Sequence, residues 1–169
     1  MGWNYRITEF QAAILLAQLE RLEEEVEKKD KNAQYLHKQL ENIEGIKPMK
    51  RRSQVDRQSY YDYLFRYEKK YFNNVSAERF AKALNAEGIP CRGGILEVIY
   101  KTPRWVVDPR EFPFTKGIDY NKISCPVAEK ACFLGLNHRM LLGEKEDMND
   151  IALAVRKIKD NIGELEETS

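Results

Sequence analysis

Between positions 15 and 43, apolar residues recur at intervals of three, four or seven: Leu15, Leu19, Leu22, Val26, Ala33, Leu36, Leu40 and Ile43. That spacing lays a stripe along a helix with near-heptad phasing. Thr8, followed three residues later by Gln11, reads as a capping box at its start, and Gly45 supplies a stop. No proline or glycine interrupts between them. The stripe is weakest from Glu23 to Lys31, where Val26 is the one apolar residue. A helix from Thr8 to Ile43 is about 54 Å long, whereas a compact domain from a chain of this size is about 40 Å across. The helix must therefore bend or break between Glu23 and Asp30, or project beyond its own domain. Its first half also carries more apolar residues than one stripe needs: Phe10, Ala12, Ala13, Ile14, Leu15, Leu16 and Leu19. A helix that is apolar nearly all round requires burial on several sides, so a missing partner surface is expected.

After a basic linker, Lys47 to Arg57, the pattern changes period. Tyr61, Tyr63, Phe65 and Tyr67 alternate with Asp62, Leu64, Arg66 and Glu68, as in a strand. Asn73-Asn74 ends it. Ser76 caps a helix with the face Phe80, Ala81 and Leu84, and Gly88 closes it. A short extended segment follows around Cys91, with Gly93-Gly94. Tyr100 to Asn121 reads as loop, punctuated by Pro103, Pro109 and Pro113. Pro126 opens a short helix through Cys132. The last helix runs from about Glu146 to Ile162, with Met148, Ile151, Val155, Ile158 and Ile162 as its stripe. The predicted order is helix, strand, helix, strand, loop, helix, helix. It specifies an α+β class: a long N-terminal helix, then a small antiparallel sheet covered by helices.

Composition narrows the function classes. With 28 basic and 27 acidic residues the net charge is +1, which argues against a dedicated nucleic-acid or anionic-membrane binder. The longest apolar run, Ala12 to Ala17, is too short to span a bilayer, and no secretory leader is apparent. Cys91, Cys125 and Cys132 form no disulfide framework, so a reducing cytoplasm is the expected home. A metal centre is not expected: the two histidines, His37 and His138, are far apart, and Cys125 and Cys132 lack paired-ligand spacing. A cysteine nucleophile beside His138 lacks a third, orienting group. The basic run Lys47 to Arg57 lacks interleaved aromatics and reads as a solvated linker. No Gly-rich phosphate loop is present. From residues alone, the chain is an α+β domain that wants a partner.

The opening GWNYRITEFQAAILLAQLERL adds a resemblance. It is similar to the segment following the pyridoxal-phosphate (PLP) lysine in the DegT/DnrJ/StrS aminotransferases, fold-type-I enzymes that aminate keto-sugars and cyclitols. Gly2, Asn4, Tyr5, Arg6, Thr8, Glu9, Gln11, Ala12, Ala13, Gln18, Leu19 and Leu22 match the family pattern, and Ile7 replaces its usual methionine. Further blocks match in order: NAQYL at 32–36, GI-x-P at 45–48, YYDY at 60–63, AEGIP at 86–90, CPVAEKA at 125–131 and LLGEKEDMNDI at 141–151.

The resemblance implies that residues 1–30 end the large PLP domain and form the interdomain helix, with 31–169 as the small C-terminal domain. It implies a homodimer through the first helix, a keto-sugar or cyclitol substrate, and glutamate or glutamine as amino donor. Asn4 matches an asparagine that in relatives reaches the PLP phosphate of the neighbouring subunit. Tyr100, Asn137 and His138 are the substrate-facing candidates. Ile95 and Glu97 depart from an aromatic and a proline in relatives, which leaves the substrate class open. No lysine in the chain sits in a setting suited to a Schiff base, so the chain by itself is expected to be inactive, a part cut off from the catalytic lysine. The alternative from the same helix is a stand-alone dimerising or regulatory module.

Overall fold

The computed structural model of the chain describes residues 5–95, 98–102, 108, 110–119 and 122–165. Helix α1 spans Glu9–Leu40 without interruption. The Thr8 hydroxyl accepts from the Gln11 N–H, and the Gln11 side chain accepts from the Thr8 N–H at 2.9 Å, completing the capping box. Of the two expected geometries, projection is the one adopted. Residues 13–24 are exposed throughout, and burial begins only at Lys29 and Asp30, then continues at Ala33, Leu36 and Leu40. The charged stretch stays helical because its charges are matched. Lys31 pairs with Glu27 at 2.6 Å, Lys28 with Glu144 at 2.8 Å, and Arg57 forks onto the Glu23 carboxylate.

Strand β1 (Ile46–Pro48) follows Gly45, whose φ of +90° suits glycine and whose missing side chain leaves room for the Phe72 ring. Strand β2 (Asp62–Tyr67) carries the predicted aromatics. Its Tyr63, Phe65 and Tyr67 are buried, whereas Tyr61, just before it, is exposed. Ser76 caps helix α2 (Ala77–Ala86), and its Oγ accepts from the Arg79 N–H. Strand β3 (Cys91–Ile95), the short helix α3 (Pro126–Lys130), strand β4 (Cys132–Asn137) and helix α4 (Lys145–Asp160) complete the fold.

The four strands are antiparallel in the order β1-β2-β4-β3. Two of them differ from expectation. The segment expected as a helix through Cys132 stops at Lys130, and Cys132 starts the central strand β4. The expected basic linker begins as edge strand β1. Leu134 and Leu136 of β4 stand opposite Phe65 and Tyr63, on the same face as the rest of the core. Against that face pack the second half of α1, α2 and α4, which contributes Met148, Ile151, Val155 and Ile158. Tyr67, Phe72 and Phe80 form an aromatic cluster with ring centroids 4.5–5.3 Å apart, a geometry worth about 0.5–1.5 kcal/mol per pair beyond burial. At Gly93 a Cβ would lie 2.3 Å from the Ala77 carbonyl oxygen, so glycine lets β3 reach the start of α2.

Candidate functional site

Two surfaces of this fold lack internal partners among the described residues. The first is the projecting half of α1. Phe10 is 86% exposed, Leu16 63% and Leu19 59%, and Ile14, Leu15 and Leu22 are exposed with them. At its start Tyr5, Ile7, Ile14 and Leu15 border a shallow groove of about 510 Å³. Contiguous apolar surface of this kind marks an interaction site.

The second is the face of the sheet opposite the core. It presents Lys47, Asp62, Leu64, Arg66, Arg92, Phe133 and Asn137, as the strand registers dictate. Arg92 pairs with Asp62, and its guanidinium lies 5.7 Å from the Phe133 ring centre. Its stem and the Leu64 side chain pass over Gly135.

The sequence-selected residues divide between the two ends of β4. Asn137 ends the strand opposite Asp62, and its Oδ1 accepts from the Arg139 N–H at 3.0 Å. His138 begins the following 3-10 turn, His138–Leu142; it is half-buried, and its Nδ1 has no hydrogen-bond partner among the described residues. Tyr100 lies beyond the other end. Its hydroxyl accepts from the Cys125 N–H at 2.8 Å, on the segment that enters β4 at Cys132. Five residues of strand rise, about 17 Å, separate the two ends of β4. Asn137 and His138 thus stand together, whereas Tyr100 is joined to the segment that leads into the start of β4. Asn4 lies outside the described residues.

Thiol chemistry finds no support in this geometry. Cys132 begins β4 and His138 follows its far end. Cys91, opposite Leu136, is the thiol nearest His138 in register, and burial pushes it up to about 11. A thiol protonated at neutral pH is a poor nucleophile. Three cations of the basic run are paired within the chain: Lys47 with Glu68 at 2.7 Å, Arg51 with Asp30 and Arg57 with Glu23.

A PLP site needs a lysine amine in a desolvated pocket and donors for a phosphate. Lys29 is the buried lysine among the described residues, and its ammonium lies 3.7 Å from the Glu25 carboxylate one turn away. Among the described residues no group of His, Cys, Asp and Glu could hold a metal, and no helix is long and apolar enough to cross a membrane.

Comparison with known proteins supplies the context. The family model of the DegT/DnrJ/EryC1/StrS aminotransferases matches residues 1–155. The chain is 33% identical over 169 residues to an L-glutamine:2-deoxy-scyllo-inosose aminotransferase of Micromonospora echinospora, covering 98% of this chain and 40% of that one. It is 34% identical over 168 residues to the enzyme of the same name from Streptomyces paromomycinus, with 94% and 39% covered. The crystal structure of 3-amino-5-hydroxybenzoic acid (AHBA) synthase superposes with a TM-score of 0.68 at 25% identity, covering 96% of this chain and 41% of that one. The chain thus spans about 40% of the length of these relatives. On the match over residues 1–155, the chain belongs to the DegT/DnrJ/EryC1/StrS aminotransferase family.

Proposed function

We propose that this chain is the small-domain and docking part of a PLP-dependent aminotransferase, working with a lysine-bearing part outside residues 1–169. The family is PLP-dependent, and the cofactor supplies the electron sink for moving an amino group. The observation that supports this reading is the projecting half of α1, whose apolar face has no counterpart among the described residues. In this reading residues 1–30 belong with the large domain and residues 31–169 form the small one.

Each surface then has a part to play. The α1 face docks on the large domain and joins two copies into a homodimer. Asn4 donates its amide to the phosphate of the PLP held by the partner subunit. Asn137 and His138, at one end of the open sheet face, and Tyr100 beyond the other, border the substrate. Relatives named for scyllo-inosose substrates and L-glutamine favour a keto-cyclitol acceptor and glutamine as donor, with keto-sugars and glutamate as the broader class. Cytoplasmic residence accords with free thiols at Cys91, Cys125 and Cys132.

The test is chemical. PLP is added to the chain alone, the mixture is reduced with borohydride, and peptides are mapped. The reading predicts scattered, substoichiometric lysine labelling; one lysine labelled to completion would overturn it. The near-heptad phasing of Leu15, Leu19 and Leu22 supports a second reading, a stand-alone module that pairs through α1. That reading requires a stable dimer that neither PLP nor a lysine-bearing partner alters.

A further inference from the structure

A cleft of about 430 Å³ lies between α1 and the connection from β1 to β2, and neither Asn137, His138 nor Tyr100 lines it. Tyr63 stands in its wall, 4% exposed, and its hydroxyl has no hydrogen-bond partner among the described residues. Beside it stands Arg51. Its guanidinium faces the buried Asp30 carboxylate, and one terminal nitrogen donates to the Asp56 carbonyl at 3.3 Å. The remaining Nε is buried and has no hydrogen-bond partner. Two buried donors in one cleft, both unused by the fold, are rare in native proteins, because a buried polar group without a partner carries its full desolvation cost.

The surroundings select what could use them. Lys38 and Lys50 add ammonium groups at the rim, against Glu41 and the imidazole of His37. Asp30 takes the Gln34 amide on Oδ2 at 3.1 Å and turns Oδ1 to the Arg51 guanidinium, and with Lys38, Lys50 and Arg51 against Asp30 and Glu41 the excess charge is positive. Burial raises the titration of both Tyr60 and Tyr63, so each phenol keeps its proton at neutral pH. The Tyr60 and Tyr63 rings, 5.9 Å apart, and Met49 supply apolar wall. The volume lies within the range of small-molecule sites.

We infer that this cleft binds a small organic anion, its phosphate or carboxylate oxygens accepting from Tyr63 Oη and Arg51 Nε, with its carbon body against Tyr60 and Met49. The site is separate from the transamination machinery proposed above, and its test uses the chain alone, so either idea can fail without the other.

Phenyl phosphate, benzoate and the neutral control phenol are titrated into the chain by calorimetry. At least one anion is expected to bind, and phenol roughly tenfold or more weaker, as loss of a charge-assisted hydrogen bond entails. Tyr63→Phe keeps the ring and the core while removing the hydroxyl. It is expected to melt at the same or a higher temperature and to weaken the anion by about tenfold. Lys50→Gln, on the exposed rim, is expected to weaken the anion severalfold without changing the fold. The ratio of phenyl phosphate to benzoate affinity assigns the oxyanion. Absence of binding by both anions overturns the inference, as does binding that Tyr63→Phe leaves unchanged. A crystal structure with only an ordered water joining Tyr63 Oη to Arg51 Nε in the presence of phenyl phosphate overturns it too.

Discussion

The Asn32 side chain on α1 donates to two carbonyl oxygens at once, those of Leu141 and Gly143, each at 2.9 Å. Both carbonyls belong to the turn that leads from β4 into α4, so one amide fixes the point where the projecting helix enters the domain. Nearby, the Tyr35 hydroxyl donates to Asn149 at 2.7 Å and Arg156 to the Gln39 carbonyl at 2.9 Å. Four side-chain hydrogen bonds therefore hold the second half of α1 against α4 and the turn before it. Asn32→Ala is expected to destabilise the fold by about 1–3 kcal/mol, because two partly buried carbonyls lose a donor. Thermal denaturation followed by circular dichroism checks this through a fall of several degrees in the midpoint.

The first half of α1 should behave in the opposite way. Leu15→Lys with Leu19→Lys removes exposed apolar surface and touches no buried residue. Its effect on unfolding, measured at concentrations where the wild type is also monomeric, is expected within about 0.5 kcal/mol. Its effect on association should be large: light scattering is expected to show the wild-type chain as a dimer and the double variant as a monomer. A wild-type chain that is monomeric with an ordered α1 contradicts the proposed pairing.

Close backbone approach gives a third expectation. At Gly93 a Cβ would meet the Ala77 carbonyl oxygen at 2.3 Å and the Leu134 side chain at 2.9 Å. Neither the start of α2 nor the buried Leu134 has room to move, so Gly93→Ala should cost about 1–3 kcal/mol, as overpacking does. Gly88→Ala meets nothing within 4 Å, and its cost comes only from its φ of +83°. Denaturant midpoints of the two variants separate steric from conformational cost.

Titration of Cys91 supplies a fourth. Burial raises its thiol from an ordinary value of 9.0 to about 11. A raised value means the folded state holds the proton more tightly, so the contribution is fully present below about pH 9 and is lost as pH rises toward 11. Tyrosines titrate in the same region, so the discriminating quantity is the difference between wild type and Cys91→Ala. Stability should fall more steeply with pH in the wild type between those limits. At pH 8 iodoacetamide should modify the exposed Cys125 well before Cys91.

Much of this fold was legible in the residues because local chemistry and tertiary packing agree. The Thr8–Gln11 capping box, the Ser76 cap, the alternating Tyr63, Phe65 and Tyr67, and the α4 stripe from Met148 to Ile158 appear where the patterns put them, whereas the helix ends at Asp160 and Ile162, expected as the last residue of its stripe, falls in the 3-10 turn that follows. Strand β4 was hidden for a physical reason. As the central strand it carries Gly135, and its other face holds the half-buried Phe133, so CFLGLN shows no clean polar alternation. The proline at 126 drew the helix reading too far, since α3 has only one turn and a half before the chain extends. Strand β1 has three residues, one a proline, and sits at the edge, where proline is tolerated.

The candidate site was legible only in its family aspect. Asn137 and His138 come together because they are adjacent in sequence, and nothing in the spacing could tell that Tyr100 is tied to Cys125 beyond the far end of β4. The Tyr63–Arg51 cleft was missed altogether. Tyr63 reads as core and Arg51 as linker charge, and only folding brings the buried hydroxyl and guanidinium to one wall.

One chimera decides whether this chain completes an aminotransferase beside a lysine-bearing part. This chain replaces the corresponding 40% of the Micromonospora echinospora relative, and the purified chimera is given PLP, L-glutamine and that relative's keto-cyclitol. Glutamine-dependent appearance of the amino-cyclitol is expected, and it should be lost when Leu15→Lys and Leu19→Lys are introduced together. A folded chimera that binds PLP yet yields no aminated product with either glutamine or glutamate would contradict the proposed function.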